Sequence, residues 1–246
     1  MTLSCFELGE RMLAAEEARA AVLSLIAGPL PAERVPLALA HGRVLAEAAV
    51  SLLDVPQRTN AAMDGVALAW PSTGAPSAAF RRVAEILAGQ VPPQALAPGE
   101  CAGITTGAPL PTGADTVVMR EQLRLVQGED GATWVTVDRP ERVRRGQNVR
   151  QAGEDIPRGA QALAAGIRLS AAELGLLASL GLAEVAVHRR PRVALFSTGD
   201  EVTAPGDALP EAGIFDANRY SLMALAAEHG AEVLDLGILP DARDAI

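Results

Sequence analysis

The residues best suited to chemistry in this chain are carboxylates, threonines and arginines set among glycines, and they fall in four stretches. The first is Thr59-Asn60-Ala61-Ala62-Met63-Asp64-Gly65-Val66. Asp-Gly between small residues is a strong hairpin signal; it also leaves an isolated carboxylate for a cation or substrate. The second runs from Thr105 to Asp115. Its glycines let backbone approach an oxyanion, and a threonine hydroxyl such as that of Thr106 donates to the anion or helps to hold Mg²⁺. A surface loop stiffened by Pro109 and Pro111 accounts for the same residues. The third, Arg150-Gln151-Ala152-Gly153-Glu154-Asp155, is either an exposed ion pair worth about 0–1 kcal/mol or an arginine fork for an anion beside a carboxylate for its counterion. The fourth is Ser197-Thr198-Gly199-Asp200-Glu201. Its hydroxyls and glycine suit a phosphate, and Asp200 and Glu201 offer the oxygen ligands that Mg²⁺ takes; capping of the next segment is the competing role.

Composition narrows the classes. The chain has 246 residues, a net charge of −9 and 21 basic residues, all of them arginine. An acidic chain with 3% aromatics lacks the cationic surface and stacking platforms that nucleic acid requires. Without lysine there is neither a Walker-type phosphate lysine nor Schiff-base chemistry. An anion must be held by arginine, backbone N–H groups or a bridging cation. Cys5 and Cys101 form no metal spacing and no disulfide framework, which fits a reducing compartment. His41, His188 and His229 are too scattered for a ligand motif. No apolar run approaches a membrane span and no basic-apolar leader opens the chain, so a cytoplasmic protein without membrane contact is expected.

These stretches need elements to position them. Apolar residues from Met12 to Ile26 predict a first helix that Gly28-Pro29 stops. From residue 51 to 141, β-favourable runs (Val66–Trp70, Phe80–Ile86, Thr116–Met119, Thr133–Val137) alternate with Pro/Gly turns, the texture of a small barrel or sandwich. Ser170 and Glu173 predict a capping box opening a helix that Gly181 closes, and Glu184–His188 predicts a strand. Val193–Phe196 is expected as a buried strand, Asn218 as the cap of a helix stopped at Gly230, and Glu232–Leu236 as a second, parallel strand. In such a β-α-β unit, ligands bind at the carboxyl ends of strands, and Asp216, Asn218 and Asp241 fall toward that edge with the 197–201 loop. Two parallel strands do not bury both faces of a sheet, so the chain is expected to stop within this last domain.

The four stretches occur as an ordered set: Leu53-Asp54-Val55-Pro56 with Ala62-Met63-Asp64-Gly65, then Thr106-Gly107-Ala108-Pro109, then Gly146-Gln147-Asn148-Val149-Arg150 with Gly153-Glu154-Asp155-Ile156, then Ser197-Thr198-Gly199-Asp200-Glu201. In this the chain resembles the MoeA molybdopterin molybdenumtransferases and the E domain of gephyrin-type proteins. It departs at Val66, where the family usually has tyrosine, and at Asp216-Ala217-Asn218, usually Asp-Ser-Asn. The resemblance implies a multidomain α/β protein. Residues 1–50 and 142–188 would form an N-terminal helix with a linking α+β domain, residues 51–141 an inserted β-rich, barrel-like domain, and residues 189–246 the first part of a doubly wound molybdopterin-binding domain.

It further implies a homodimer acting on adenylylated molybdopterin and molybdate with Mg²⁺, releasing AMP, and a molybdopterin adenylyltransferase as a partner. The implied site comprises Asp64, Thr106, Arg150, Asp155, Glu201 and Asp241. Of these, Asp64, Glu201 and Asp241 would serve the metal, and Asp64, Thr106, Asp155 and Glu201 catalysis. Arg150 would bind substrate together with Ser197, Thr198, Gly199, Asp200, Asp216 and Asn218. Two rival readings are a gephyrin-like scaffold and the adenylylation step itself. The β-rich domain carrying Asp64 and Thr106 argues against the second, and the lack of an appended interaction module against the first.

Overall fold

The computed structural model describes residues 13–71, 79–129 and 131–242. In chain order the elements begin with α1 (Ala15–Ser24), β1 (Ala32–Pro36), β2 (Ala49–Val50), β3 (Asn60–Ala61) and β4 (Gly65–Leu68). There follow β5 (Ala79–Ile86), β6 (Glu100–Ile104), β7 (Thr116–Met119), β8 (Leu123–Gln127), β9 (Thr133–Val137), β10 (Val149–Arg150) and β11 (Gln161–Leu163). The last are α2 (Ala171–Ser179), β12 (Glu184–His188), β13 (Arg192–Thr198), β14 (Val202–Thr203), β15 (Ile214–Phe215), α3 (Asn218–Glu228) and β16 (Glu232–Leu239). The chain is sheet-rich with few helices. It divides into two compact units: Ala48–Ala165 with Ala171–Ala183, called here the β unit, and Met1–Glu47 with Gly166–Ser170 and Glu184–Ile246, the α/β unit.

The β unit is organised by one six-stranded sheet in the order β7-β4-β6-β5-β9-β8, antiparallel except for the β5–β6 pair. The ends β7 and β8 do not pair with each other, so the expected barrel-like domain is an open sheet in its hydrogen bonding. Successive side chains of a strand point to opposite faces, and here each face carries a core. Val66, Leu68, Trp70, Phe80 and Val135 pack on one face; Ala67, Ile86, Ala102, Ile104 and Val117 pack on the other with Ala61 and Ala108. Burial on both faces explains why β4 and β7 read as continuous apolar runs. Strands β6 and β8 lie outside the sequence expectation. The run Glu100-Cys101-Ala102-Gly103-Ile104 lacks alternation because both of its faces are buried, Cys101 in one core and Ala102 and Ile104 in the other, and at Gly103 the Arg82 guanidinium excludes a side chain: a Cβ there would come within 2.5 Å of its Nη2.

Phe80 is 2% exposed and packs 6.2 Å, centroid to centroid, from Trp70. Phe80→Ala is expected to destabilise the β unit by about 3–5 kcal/mol through lost burial and the cavity left behind. Both tryptophans, Trp70 and Trp134, belong to this unit, so urea unfolding followed by their emission measures it directly.

In the α/β unit, β1 pairs antiparallel with β12, and β13 pairs in parallel with β16. Helix α3 lies between the two parallel strands in sequence and packs against both. The sequence reading of β13 as a buried strand needs correction. Its residues alternate between exposed and half-buried, with Ala194 and Phe196 exposed, because α3 is the element that packs on this two-stranded sheet. A second correction concerns α3. Asn218 is its first residue and makes no side-chain cap; Asp216 Oδ1 instead accepts the Arg219 N–H at 3.2 Å. Gly230, at φ +88°, ends the helix as expected. Helix α1 has no buried residue. No helix of the described residues is long and apolar enough to cross a membrane.

Candidate functional site

Strand register places Asp64. Gly65, the first residue of β4, is opposite Ile104 of β6 on one side and Met119 of β7 on the other. Antiparallel pairing therefore sets Asp64 between the chain leaving β6 at Thr105-Thr106 and the chain leaving β7 at Arg120. Asp64 Oδ1 accepts the Thr106 N–H and the Thr106 hydroxyl, each at 2.7 Å, and the Asp64 carbonyl accepts the Arg120 N–H at 3.1 Å. The backbone and then the hydroxyl bonds from Thr106 hold the Asp64 carboxyl below its ordinary range, with Arg120 adding a smaller effect. The result is an exposed, ionised carboxylate with one oxygen occupied and the other open.

The Asp64-Gly65 pair is not a hairpin turn, since β3 and β4 pair with different neighbours. Glycine is required at 65 for another reason: a Cβ there would lie 1.9 Å from the Val118 carbonyl oxygen. The loop bearing Thr106 is fixed by backbone bonds from Gly107 N–H to Ala61 O (2.8 Å) and from Ala61 N–H to Ala108 O (3.0 Å). Its turn uses Gly107 at φ +80°.

Arg150 and Asp155 form an ion pair at the surface. Asp155 raises the Arg150 pKa by hydrogen bonding and by charge. Arg150 lies on β10, opposite Asn60 of β3, while Asn60 also bridges to Pro109. Segment 59–62 is thus flanked by the Arg150 strand and by the Thr106 loop. In the β unit the structure brings four expected residues together as two pairs, Asp64 with Thr106 and Arg150 with Asp155, on neighbouring segments.

The sequence reading missed Arg82 and Arg120. Both line a cavity of about 460 Å³ with Asp64, Glu85, Gly103 and Thr105. The legible signal was an arginine directly after the apolar run Val117–Met119, which fixes its place at a strand end.

In the α/β unit the other expected residues share one sheet edge. Thr198 of β13 is opposite Leu239 of β16, so the 199–201 loop and Asp241 both follow carboxyl ends of parallel strands, where ligands of such sheets bind. Glu201 is exposed and its carboxylate folds over Gly199: a Cβ at that residue, whose φ is +130°, would meet Glu201 Oε2 at 2.7 Å. Asp200, Asn218 and Asp241 are exposed, and Thr198 is half-buried.

Ser197 and Asp216 have other commitments. Asp216 is 4% exposed and accepts from Ser197 Oγ at 2.9 Å and from Arg219 Nε at 2.7 Å. Arg219, itself buried, bridges onward to Asp235. Arg219 and Asp235 escaped the sequence reading, although an Asp-x-x-Arg pair at a helix start and a carboxylate inside the apolar run 233–236 were visible.

Burial pushes the Asp216 pKa up, but the hydrogen bonds from Arg219 and Ser197 outweigh it and hold the carboxyl below its ordinary value. Asp235 is lowered too, by the Gly237 N–H and then by Arg219. A carboxylate whose folded pKa is depressed contributes stability above its unfolded value, about 3.9, and loses it as the pH falls through the folded value. The α/β unit is therefore expected to hold full stability above about pH 4 and to lose it below. Acid titration by far-UV circular dichroism checks this, and Asp216→Asn should flatten the dependence.

Among the described residues no group of three or more His, Cys, Asp and Glu side chains converges on one point. Mg²⁺ is commonly bound through one or two carboxylates plus substrate phosphates; Asp64 in the β unit, and Glu201 and Asp241 in the α/β unit, are exposed carboxylates. Cys101 is buried in the β unit, and that burial pushes its thiol up to about 12.

A family model described as the MoeA N-terminal region (domain I and II) matches residues 13–181. A molybdopterin molybdenumtransferase from Nostoc sp. is 41% identical over 213 residues, covering 85% of this chain and 47% of that protein. One from Haemophilus influenzae is 38% identical over 231 residues, covering 94% of this chain and 55% of that protein. The chain spans about half the length of the curated relatives it matches. A crystal structure of a molybdopterin biosynthesis MoeA protein from Pyrococcus horikoshii aligns with a TM-score of 0.79 at 31% identity, over 96% of this chain and 59% of that one. A second structure from the same organism aligns with a TM-score of 0.82 at 29% identity, over 96% of this chain and 62% of that one. With a family model covering well over half its length and relatives 41% and 38% identical over 85% and 94% of it, the chain belongs to the MoeA family.

Proposed function

We propose that this protein acts in molybdenum cofactor biosynthesis as a molybdopterin molybdenumtransferase, inserting molybdate into adenylylated molybdopterin with release of AMP. The observation that carries this reading is the Asp64–Thr106 pair: a carboxylate kept ionised by two short hydrogen bonds in the lining of a cavity shared with Arg82 and Arg120. Both substrates are anions and the chain carries a net charge of −9. Their charge must be met by arginine and by a cation.

Thr106 holds Asp64 in its charged state and in one orientation. Arg150, fixed by Asp155, presents a guanidinium for an oxyanion. Glu201 and Asp241 offer carboxylates at the strand-end edge of the α/β unit. Asp64, Glu201 and Asp241 are the residues that would hold Mg²⁺, which when bound offsets charge developing on the leaving phosphate. The active form is proposed to be a homodimer.

The test supplies the protein with adenylylated molybdopterin, molybdate and Mg²⁺. AMP release coupled to molybdenum on the dithiolene is the expected result. AMP release that ignores molybdate, or none at all, would sink the proposal.

A further inference from the structure

The α/β unit contains a second cationic cavity, separate from the groups discussed above. Its volume is about 250 Å³, and its lining includes Arg43, Arg168, Arg189, Arg190, His188 and His229. Four arginines lining one hollow are unexpected in a chain with net charge −9. Like charges gathered this closely repel one another unless an anion or a carboxylate offsets them.

Two of the carboxylates nearby are already engaged. Glu33 pairs with Arg43, which also donates to the His188 carbonyl at 2.8 Å. Glu232, whose N–H bonds the Pro191 carbonyl, lies 4.0 Å from Arg192 through its side chain. Among the described residues Arg189 and Arg190 have no ion-pair partner.

The end of α3 also reaches this place, and helix carboxyl ends repel anions. That effect is muted here. Arg168 Nη2 donates to Glu228 O at 3.4 Å, and the carbonyls of Leu225, Ala226 and Ala227 accept backbone N–H groups from residues 229, 231 and 230. Arg168 is also held by its Nε bond to Gly42 O at 3.2 Å. Gly42 and Gly230 flank it: a Cβ on either would meet its Nη2 at 3.8 or 3.9 Å, an ordinary contact distance. Each cavity imidazole bonds a carbonyl through Nδ1, His188 to Leu30 O at 2.7 Å and His229 to Leu225 O at 2.9 Å, which leaves each Nε2 for another partner.

We propose that this cavity is an anion site that takes a phosphate or diphosphate group, with Arg189 and Arg190 as its open donors and Arg168 as its fixed wall. The hollow is smaller than the roughly 300–1,000 Å³ typical of pockets for drug-sized ligands, so it holds the phosphate and not an attached base or ring. The proposal is independent of the transfer reaction.

The test titrates the full chain with inorganic phosphate, pyrophosphate and AMP by calorimetry, chloride being exchanged to keep ionic strength constant. Saturable 1:1 binding is expected, with AMP no tighter than phosphate. Arg190→Gln should weaken it about tenfold, and the Arg189→Gln/Arg190→Gln double variant about a hundredfold, as loss of charge-assisted hydrogen bonds predicts. No saturable binding at constant ionic strength, or binding retained in the double variant, overturns the site. AMP binding tenfold tighter than phosphate overturns the ligand class. Should the double variant fail to fold, the imidazole resonances of His188 and His229 in the unaltered chain decide: a saturable shift with phosphate supports the site, and no shift overturns it.

Discussion

Replacing Asp64 with asparagine is expected to lower molybdate-dependent AMP release by about 10²–10³-fold, the scale on which loss of one preorganised electrostatic group acts. The substitution is nearly isosteric. An asparagine Oδ1 can still accept the Thr106 N–H and hydroxyl that now meet Asp64 Oδ1 at 2.7 Å, so the loop stays anchored while the charge disappears. Two readouts separate this from a folding defect. The urea midpoint reported by Trp70 and Trp134 should not move, and the Mg²⁺ concentration for half-maximal rate should rise. Thr106→Ala should give the same direction with a smaller loss, because it removes the hydroxyl bond and keeps the backbone one, which is the larger influence on the Asp64 carboxyl. A parent rate for Asp64→Asn would reduce Asp64 to a loop anchor.

The second large effect is on folding. Gly65→Val should destabilise the β unit by at least about 3 kcal/mol, at or beyond the usual upper range for overpacking. Its Cβ would lie 1.9 Å from Val118 O and 3.0 Å from Met119 Cα, both backbone atoms. Neither swings away as a side-chain tip would. Relief requires β4 and β7 to separate, which breaks the ladder that sets Asp64 beside Thr106. The proposed transferase activity should therefore be lost together with the Trp emission midpoint, in contrast to Asp64→Asn. Gly103→Ala is a useful comparison, since the atom it meets, at 2.5 Å, is the end of the flexible Arg82 side chain. It should be tolerated far better. Equal destabilisation by the two glycine substitutions would refute the backbone-clash argument.

Local sequence carries the strands of the β unit only in part. Runs such as Phe80–Ile86 and Thr133–Val137 declared themselves as strands because β-branched and aromatic residues were bounded by turn formers, and β5 and β9 formed there. Strand β6 did not, because it is buried on both faces by small residues and its Gly103 answers to the Arg82 guanidinium packed from another strand. The 193–196 run was apolar enough to be a buried strand, yet burial depends on how many layers cover a sheet, and one helix packs on β13 and β16. Asn218 was the cap expected by type. Only the fold showed that Asp216 is buried with Arg219 and takes that role.

What the sequence by itself determined was the inventory: the ordered motifs around Asp64, Thr106, Arg150 and Glu201, the absence of lysine, and a β-rich middle followed by a strand, helix and strand. These are local properties, readable from residue type and spacing. The tertiary structure alone decided which groups meet. Asp64 and Thr106 are 42 residues apart, and their contact follows from the register of β4 against β6, which no spacing along the chain encodes. The same holds for Gly65, explained by a neighbouring strand's carbonyl and not by a turn. It holds again for the arginine cavity, whose members come from four separate segments, because proximity in three dimensions is set by how elements pair and pack.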